Sequence, residues 1–213
     1  MSFSQASNRL LGGFANTLIL FFITLSAAIP FGLVFTFGSM SSFKPLKSLT
    51  RAFVTVIRGT PLLLQLLVIM YVPGLLFNMP MRNRLLAASI AFVINYACYF
   101  SEIYRGGIEA VDSGQQEAAT ALGMSKILTF KFVILPQVIK NILPAMGNEV
   151  ITLVKDTSLA QFIAYKELML ITWEMVSIHG VLWILLYAGG IYFLFNCAVT
   201  AILSKLEKRL NCY

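Results

Sequence analysis

Apolar residues in this chain form long runs separated by short polar stretches. No charged side chain occurs from Leu10 to Phe43, from Gly59 to Met81, from Leu85 to Ser101 or from Met175 to Ser204. Each run holds a segment near the ~20 residues that cross a bilayer core. The runs predict helices over 14–38, 53–77, 84–105 and 180–204, apolar on all sides as membrane helices are. A fifth helix is predicted over 136–158, where Lys140, Glu149, Lys155 and Asp156 interrupt the pattern. Such a helix sits in hydrocarbon only if neighbours cover its charges. Prolines 30, 61, 73, 136 and 144 fall inside or at the edges of these spans. They predict kinks, although proline is also simply commoner in membrane helices. The expected fold is all-α and polytopic, one transmembrane domain over residues 1–213 with five spans and a loop at 106–135.

Composition removes the alternatives. Of 213 residues 58% are hydrophobic and only 12% charged, about half the ~25% of a soluble domain. The mean hydropathy of +0.82 agrees. An aqueous monomer is excluded. The net charge of +7 does not suggest nucleic acid, because the basic residues stand singly between apolar runs and form no patch. They encode orientation. With five spans, Lys44, Lys47, Arg51, Arg58, Arg105, Lys126, Lys131, Lys140, Lys205, Lys208 and Arg209 share one side, and five basic residues lie elsewhere. The positive-inside bias makes that side cytoplasmic, with the N-terminus outside and the C-terminus inside. Phe14 to Phe37 is longer than a signal-peptide core and is expected to be a retained span. Cys98, Cys197 and Cys212 suggest no disulfide framework. Cys212 is second from the end, so no prenylation box is expected, and the basic residues 205–209 suit anionic headgroups.

The most informative segment is the cytoplasmic stretch from Gly106 to Pro136, longer than a connection between packed spans needs. Helix formers Gln115, Gln116, Glu117, Ala118, Ala119, Thr120, Ala121 and Leu122 run into Gly123, then Met124 and Ser125. Glycine suits the position just past a helix and serine caps the next, so the sequence specifies helix, turn, helix. The small residues at 118, 119 and 121 leave one side flat for close approach of another surface, with Glu117 to orient it. The plain alternative is a turn packed on its own bundle.

Glu117-Ala118-Ala119, then Gly123, then Val133-Ile134-Leu135-Pro136 resembles the EAA loop of the membrane subunits of binding-protein-dependent ABC importers. The pattern has isoleucine where this chain has Val133. Arg58-Gly59-Thr60-Pro61-Leu62-Leu63-Leu64-Gln65, Glu102-Ile103-Tyr104-Arg105-Gly106-Gly107-Ile108, Gly114-Gln115, Leu135-Pro136-Gln137 and Lys155-Asp156-Thr157-Ser158-Leu159 look like the polar amino-acid branch, permeases for histidine, glutamine and arginine. The resemblance covers about 14–209 and is densest over 51–168. It implies a type I importer permease of a bacterial inner membrane, with two permease subunits, identical or paralogous, enclosing a path. It also implies two cytoplasmic ATP-binding subunits and an external solute-binding protein. Residues Gln116, Glu117, Ala118, Ala119, Leu122, Gly123, Met124 and Ser125 would dock on the ATPase as a coupling helix. The chain has no G-x-x-x-x-G-K-[ST] loop, so no cofactor is expected in it and ATP and Mg belong to the partner. No catalysis of its own is expected.

Candidates for the substrate path are Gln65, Asn95, Glu102, Asn148, Glu149, Thr152 and Asp156, because polar groups in spans face the bundle interior or a partner. Glu149 and Asp156 are seven apart, within roughly 20° of one helix face with Thr152 between them, a stripe suited to an ammonium group. Other roles stay open. Asp156 can mark a helix break with a capping box from Ser158 to Gln161. Lys155 can neutralise Glu149 or Glu102, Glu102 can pair with Arg105, and Gln65 and Asn95 can be interhelical glue. The lone His179 beside Trp173 and Trp183 reads as interfacial, and no metal-ligand spacing is present. The rival functions are a passive channel or ion-coupled carrier, which leaves the long loop unexplained, and an intramembrane enzyme, for which no catalytic set can be assembled.

Overall fold

The computed structural model describes residues 3–211, with side chains as far as residue 209. Those residues form helices and no strand: α1 Phe3–Ser39, α2 Lys44–Arg58, α3 Leu62–Phe77, α4 Arg84–Glu109, α5 Ser113–Ala121, α6 Lys126–Thr129, α7 Leu135–Asp156, α8 Leu168–His179 and α9 Trp183–Asn211. A π turn at Phe130–Ile134 joins α6 to α7, and a 3₁₀ segment, Thr157–Ile163, follows α7. Among the described residues four helices are long and apolar enough to cross a membrane, or five if α2 and α3 form one bent span. Cys212 lies outside the described residues.

The helix expected over 53–77 is in fact two, bent by 103° at residues 59–61. The cause is local. Pro61 disfavours a helical conformation at Thr60 and becomes the extended N-cap of α3. At the break the backbone and hydroxyl of Thr60 turn back onto the last carbonyls of α2, and Gln65 reinforces the joint: its Nε2 donates to Ile57 O at 2.7 Å and to Thr60 O at 3.1 Å. The fourth predicted helix is also longer than expected, part of a continuous rod Lys126–Ile163. Pro136 has no N–H, and just before it Leu135 N bonds Phe130 O, five residues back, which widens the turn locally into a π helix.

The axis of the bundle is α4. Ala87, Ala88, Ala91, Phe92, Tyr96, Ala97 and Phe100 are buried on it, and Leu20, Phe21, Leu153 and Val154 from α1 and α7 share that core. Small residues let helices approach without a hydrophobic drive from lipid. At Gly32 of α1 an added Cβ would stand 2.9 Å from Phe100 Cβ, so glycine is what permits this crossing.

Contacts sort the bundle into two ends. At one, α1 ends beside α2 through Arg51 and Ser39 O, Arg58 meets Glu102 near the end of α4, and Gly147 of α7 sits beside Leu203 and Glu207 of α9. At the other, Ser7 bonds Tyr187 and Asn16 donates to Lys166 O. His179 ends α8 and is exposed, and the last span starts at Trp183.

Candidate functional site

The break between α2 and α3 faces the middle of α4 and the C-terminal half of α7. Between them lies a cavity of about 540 Å³ lined by Arg58 to Leu62, Asn95, Tyr96, Tyr99, Glu149, Thr152, Asp156 and Leu159. The stripe read from the seven-residue spacing is present: Glu149, Thr152 and Asp156 all face this cavity. Tyr96 donates its hydroxyl to Asp156 Oδ2 at 2.8 Å. Neither Glu149 nor Asp156 has an ion-pair partner among the described residues.

Other candidates serve the frame of the site. Gln65 holds the break, and Asn95 Nδ2 donates to Gln65 Oε1 at 3.0 Å, the interhelical bond of one of their two readings, while Asn95 also lines the cavity. Glu102 pairs with Arg105, whose Nε and Nη2 reach its carboxylate at 3.1 and 2.6 Å, as the i,i+3 spacing foretold. Asn148 is exposed and does not line the cavity. The capping box from Ser158 to Gln161 does not form. Ser158 Oγ donates to Lys155 O instead, because the chain tightens into a 3₁₀ turn rather than starting a new α-helix. Lys155 is exposed and neutralises neither Glu149 nor Glu102.

Among the cavity residues that sequence reasoning did not name as path candidates are Tyr96, Arg58 and Tyr99. Tyr96 is sixty positions from Asp156, so no local spacing could announce their bond. Arg58 and Tyr99, whose guanidinium and ring lie 5.0 Å apart, meet only because the break turns α2 toward α4. Another residue that sequence reasoning did not single out lies away from the cavity. Glu167 is fully buried and accepts from the backbone N–H groups of Met169 at 2.7 Å and Leu170 at 2.6 Å, capping α8, and from Tyr192 Oη at 3.0 Å. Burial pushes its carboxyl up to about 7 even though these donors pull it down.

The predicted helix, turn, helix is formed. Asp112 caps α5 by accepting from Gly114 N, Gly123 takes φ +73°, Met124 N bonds Ala119 O at 3.0 Å, and Ser125 Oγ accepts from Leu128 N. Around the turn Leu122 and Ile127 are about 80% exposed. Glu117, Ala118 and Ala121 face outward, and Ala119 is buried beneath them. The hairpin therefore presents an apolar tip beside one carboxylate.

Residues 28–211 match the family described as binding-protein-dependent transport system inner membrane component. The chain belongs to that family. The permease is 35% identical to the arginine transport system permease protein ArtQ of Bacillus subtilis, over 95% of its own length and 92% of the relative's. It is 34% identical to the nopaline transport system permease NocM of Agrobacterium fabrum, over 95% and 88% of the two lengths. Its fold superposes on a crystallised amino acid ABC transporter with histidines at a TM-score of 0.89, 36% identity and 97% and 96% coverage. An inward-facing methionine transporter, MetNI, at 0.75 and 15% identity shares the fold, covering 99% of both chains. Membership sets aside the passive channel and the ion-coupled carrier.

Proposed function

We propose that this permease lines the path of a polar amino acid, cationic or zwitterionic, and that its hairpin couples the path to a separate ATPase. The observation that supports it is the cavity at the broken helix, where Glu149 and Asp156 present carboxylates without ion-pair partners. An ammonium group entering there receives charge-assisted hydrogen bonds and relieves two carboxylates held away from bulk water. Thr152 adds a hydroxyl on the same face.

Residues Gln116 to Ser125 then act as the coupling helix. The apolar tip at Leu122 and Ile127 enters a groove of the ATPase, Glu117 orients it, and the turn at Gly123 fixes the bend. Two such permeases, two ATP-binding subunits carrying ATP and Mg, and an external solute-binding protein complete the importer. The eleven basic residues put the hairpin on the cytoplasmic side of a bacterial inner membrane, with the N-terminus outside. The assembled complex in proteoliposomes with its solute-binding protein should take up L-arginine, L-histidine or L-glutamine in an ATP-dependent way. E149Q should weaken uptake of whichever of these is transported by about ten- to a hundredfold, the worth of one lost charge-assisted bond to its ammonium group. An unchanged substrate range and affinity in E149Q would refute the placement of substrate.

A further inference from the structure

A second, smaller pocket of about 190 Å³ lies toward the end of α4, lined by Arg51, Val54, Thr55, Arg58, Glu102 and Arg105. Arg58 alone lines both this pocket and the larger cavity. Its side chain stands in the wall between them.

The ion pairs around it are unequal. Arg105 grips Glu102 at 2.6 Å and Glu109 at 2.6 Å, whereas Arg58 reaches Glu102 at only 3.5 Å and keeps 40% of its side chain exposed. Its other contact is the ring of Tyr99. Glu102 would therefore keep a strong partner if Arg58 left. Arg58 is also the one cationic side chain on the larger cavity, facing Glu149 and Asp156. A free amino acid carries both an ammonium and a carboxylate. The carboxylates of the cavity suit the first, and only a guanidinium, flat and forked, suits the second in two-pronged fashion.

We propose that Arg58 is the receptor for the substrate's α-carboxylate, and that it exchanges Glu102 for that carboxylate when substrate arrives. The exchange leaves no ion uncompensated: Arg105 holds Glu102, the substrate carboxylate holds Arg58, and the substrate ammonium meets Glu149 and Asp156. Because Arg58 ends α2 at the break, its change of partner is delivered directly to the joint between α2 and α3.

This inference rests on the amino-acid reading, and the test separates the two. The permease–ATPase complex in nanodiscs, without the solute-binding protein, is titrated with L-arginine, L-histidine and L-glutamine, and with the α-carboxamide of each one that binds. The carboxamide keeps the ammonium and lacks the carboxylate. Wild type should prefer the acid to its carboxamide by about tenfold or more. R58Q should weaken the acid to within about twofold of the carboxamide and leave the carboxamide unmoved. R58K, which keeps the charge without the fork, should fall between and decides the matter if R58Q does not assemble. E102Q, which frees Arg58 from its competitor, should tighten the acid and not the carboxamide. Equal weakening of acid and carboxamide in the Arg58 variants would mean a purely structural role and overturn the proposal, as would an R58Q or R58K complex indistinguishable from wild type. An E102Q complex whose acid affinity does not rise overturns the exchange. Wild type binding none of the three amino acids overturns the amino-acid reading itself.

Discussion

Gln65 shows how one side chain can decide whether a broken span is tolerable. Its amide closes the carbonyls of Ile57 and Thr60 and accepts from Asn95, tying α2, α3 and α4 together at the cavity's edge. In hydrocarbon those groups have no water to turn to. Q65L, close in size and mute in hydrogen bonding, should destabilise the detergent-solubilised protein by about 1–3 kcal/mol, seen as a lower Tm. A Tm equal to wild type would show that the break satisfies itself. Glu167 gives a prediction with a sign. Its carboxyl sits at about 7 in the fold, against about 4.3 for an unperturbed glutamate. The fold therefore favours the protonated form. Its contribution to stability is complete below pH ~4.3 and is lost as pH rises through about 7. Tm should fall between pH 5 and 8, and E167Q, permanently neutral, should flatten that fall; an unaltered slope would mean that other groups govern it. Glu149, Thr152 and Asp156 were legible as one stripe because helical spacing is a local property. Arg58, Tyr96 and Glu167 were not, since their roles depend on which helices cross.

At the scale of elements, hydropathy found every long helix and blurred one. Gly59-Thr60-Pro61 sits at the edge of an apolar run, so a scan smooths over it, although proline chemistry makes the break there. The amphipathic α2, expected as a loop followed by the start of a span, is the element that brings Arg58 to the cavity. The hairpin, by contrast, was legible residue by residue, because caps and a left-handed glycine are written in short sequence. Replacing Thr60 and Pro61 together by alanine should let α2 run into α3. Spin labels at Lys47 and Leu75 should then separate by roughly 10 Å or more, given 1.5 Å of rise per residue in a straightened rod. The same variant should insert and assemble but lose uptake, since the cavity exists only where the helices diverge. Persistence of the bend would show that Gly59 and the packing of α4 hold it without proline. G123D tests the hairpin in the same spirit. A residue at φ +73° with a new charge at the apolar tip should leave assembly intact while ATP hydrolysis no longer drives uptake. Normal coupling would remove the hairpin from the mechanism.

For the molecule as a whole, the arrangement of ends turns a counting argument into a geometric one. Span parity puts the basic stretches 44–58, 105–140 and 205–209 on one side only if α2 and α3 count as a single bent crossing. Contacts among the described residues gather the end of α1, Arg51 and Arg58 of α2, the last turns of α4 and the late part of α9 at the same end as the first half of α7. The opposite end carries the start of α1, the α8 segment and the start of α9. Eleven basic side chains at one pole favour retention of that pole on the cytoplasmic side during insertion, because translocating each is costly and the membrane potential opposes it. The prediction is a labelling pattern. In a variant with Cys98, Cys197 and Cys212 replaced, a single cysteine at Ser113 should react with an impermeant maleimide only after the membrane is opened. One at Asn78, in the cap that ends α3, should react in intact spheroplasts. The reverse pattern would invert the whole assignment and place the hairpin where no ATPase can reach it. Labelling of both positions from outside would instead mean that α4, the one helix between them, does not cross.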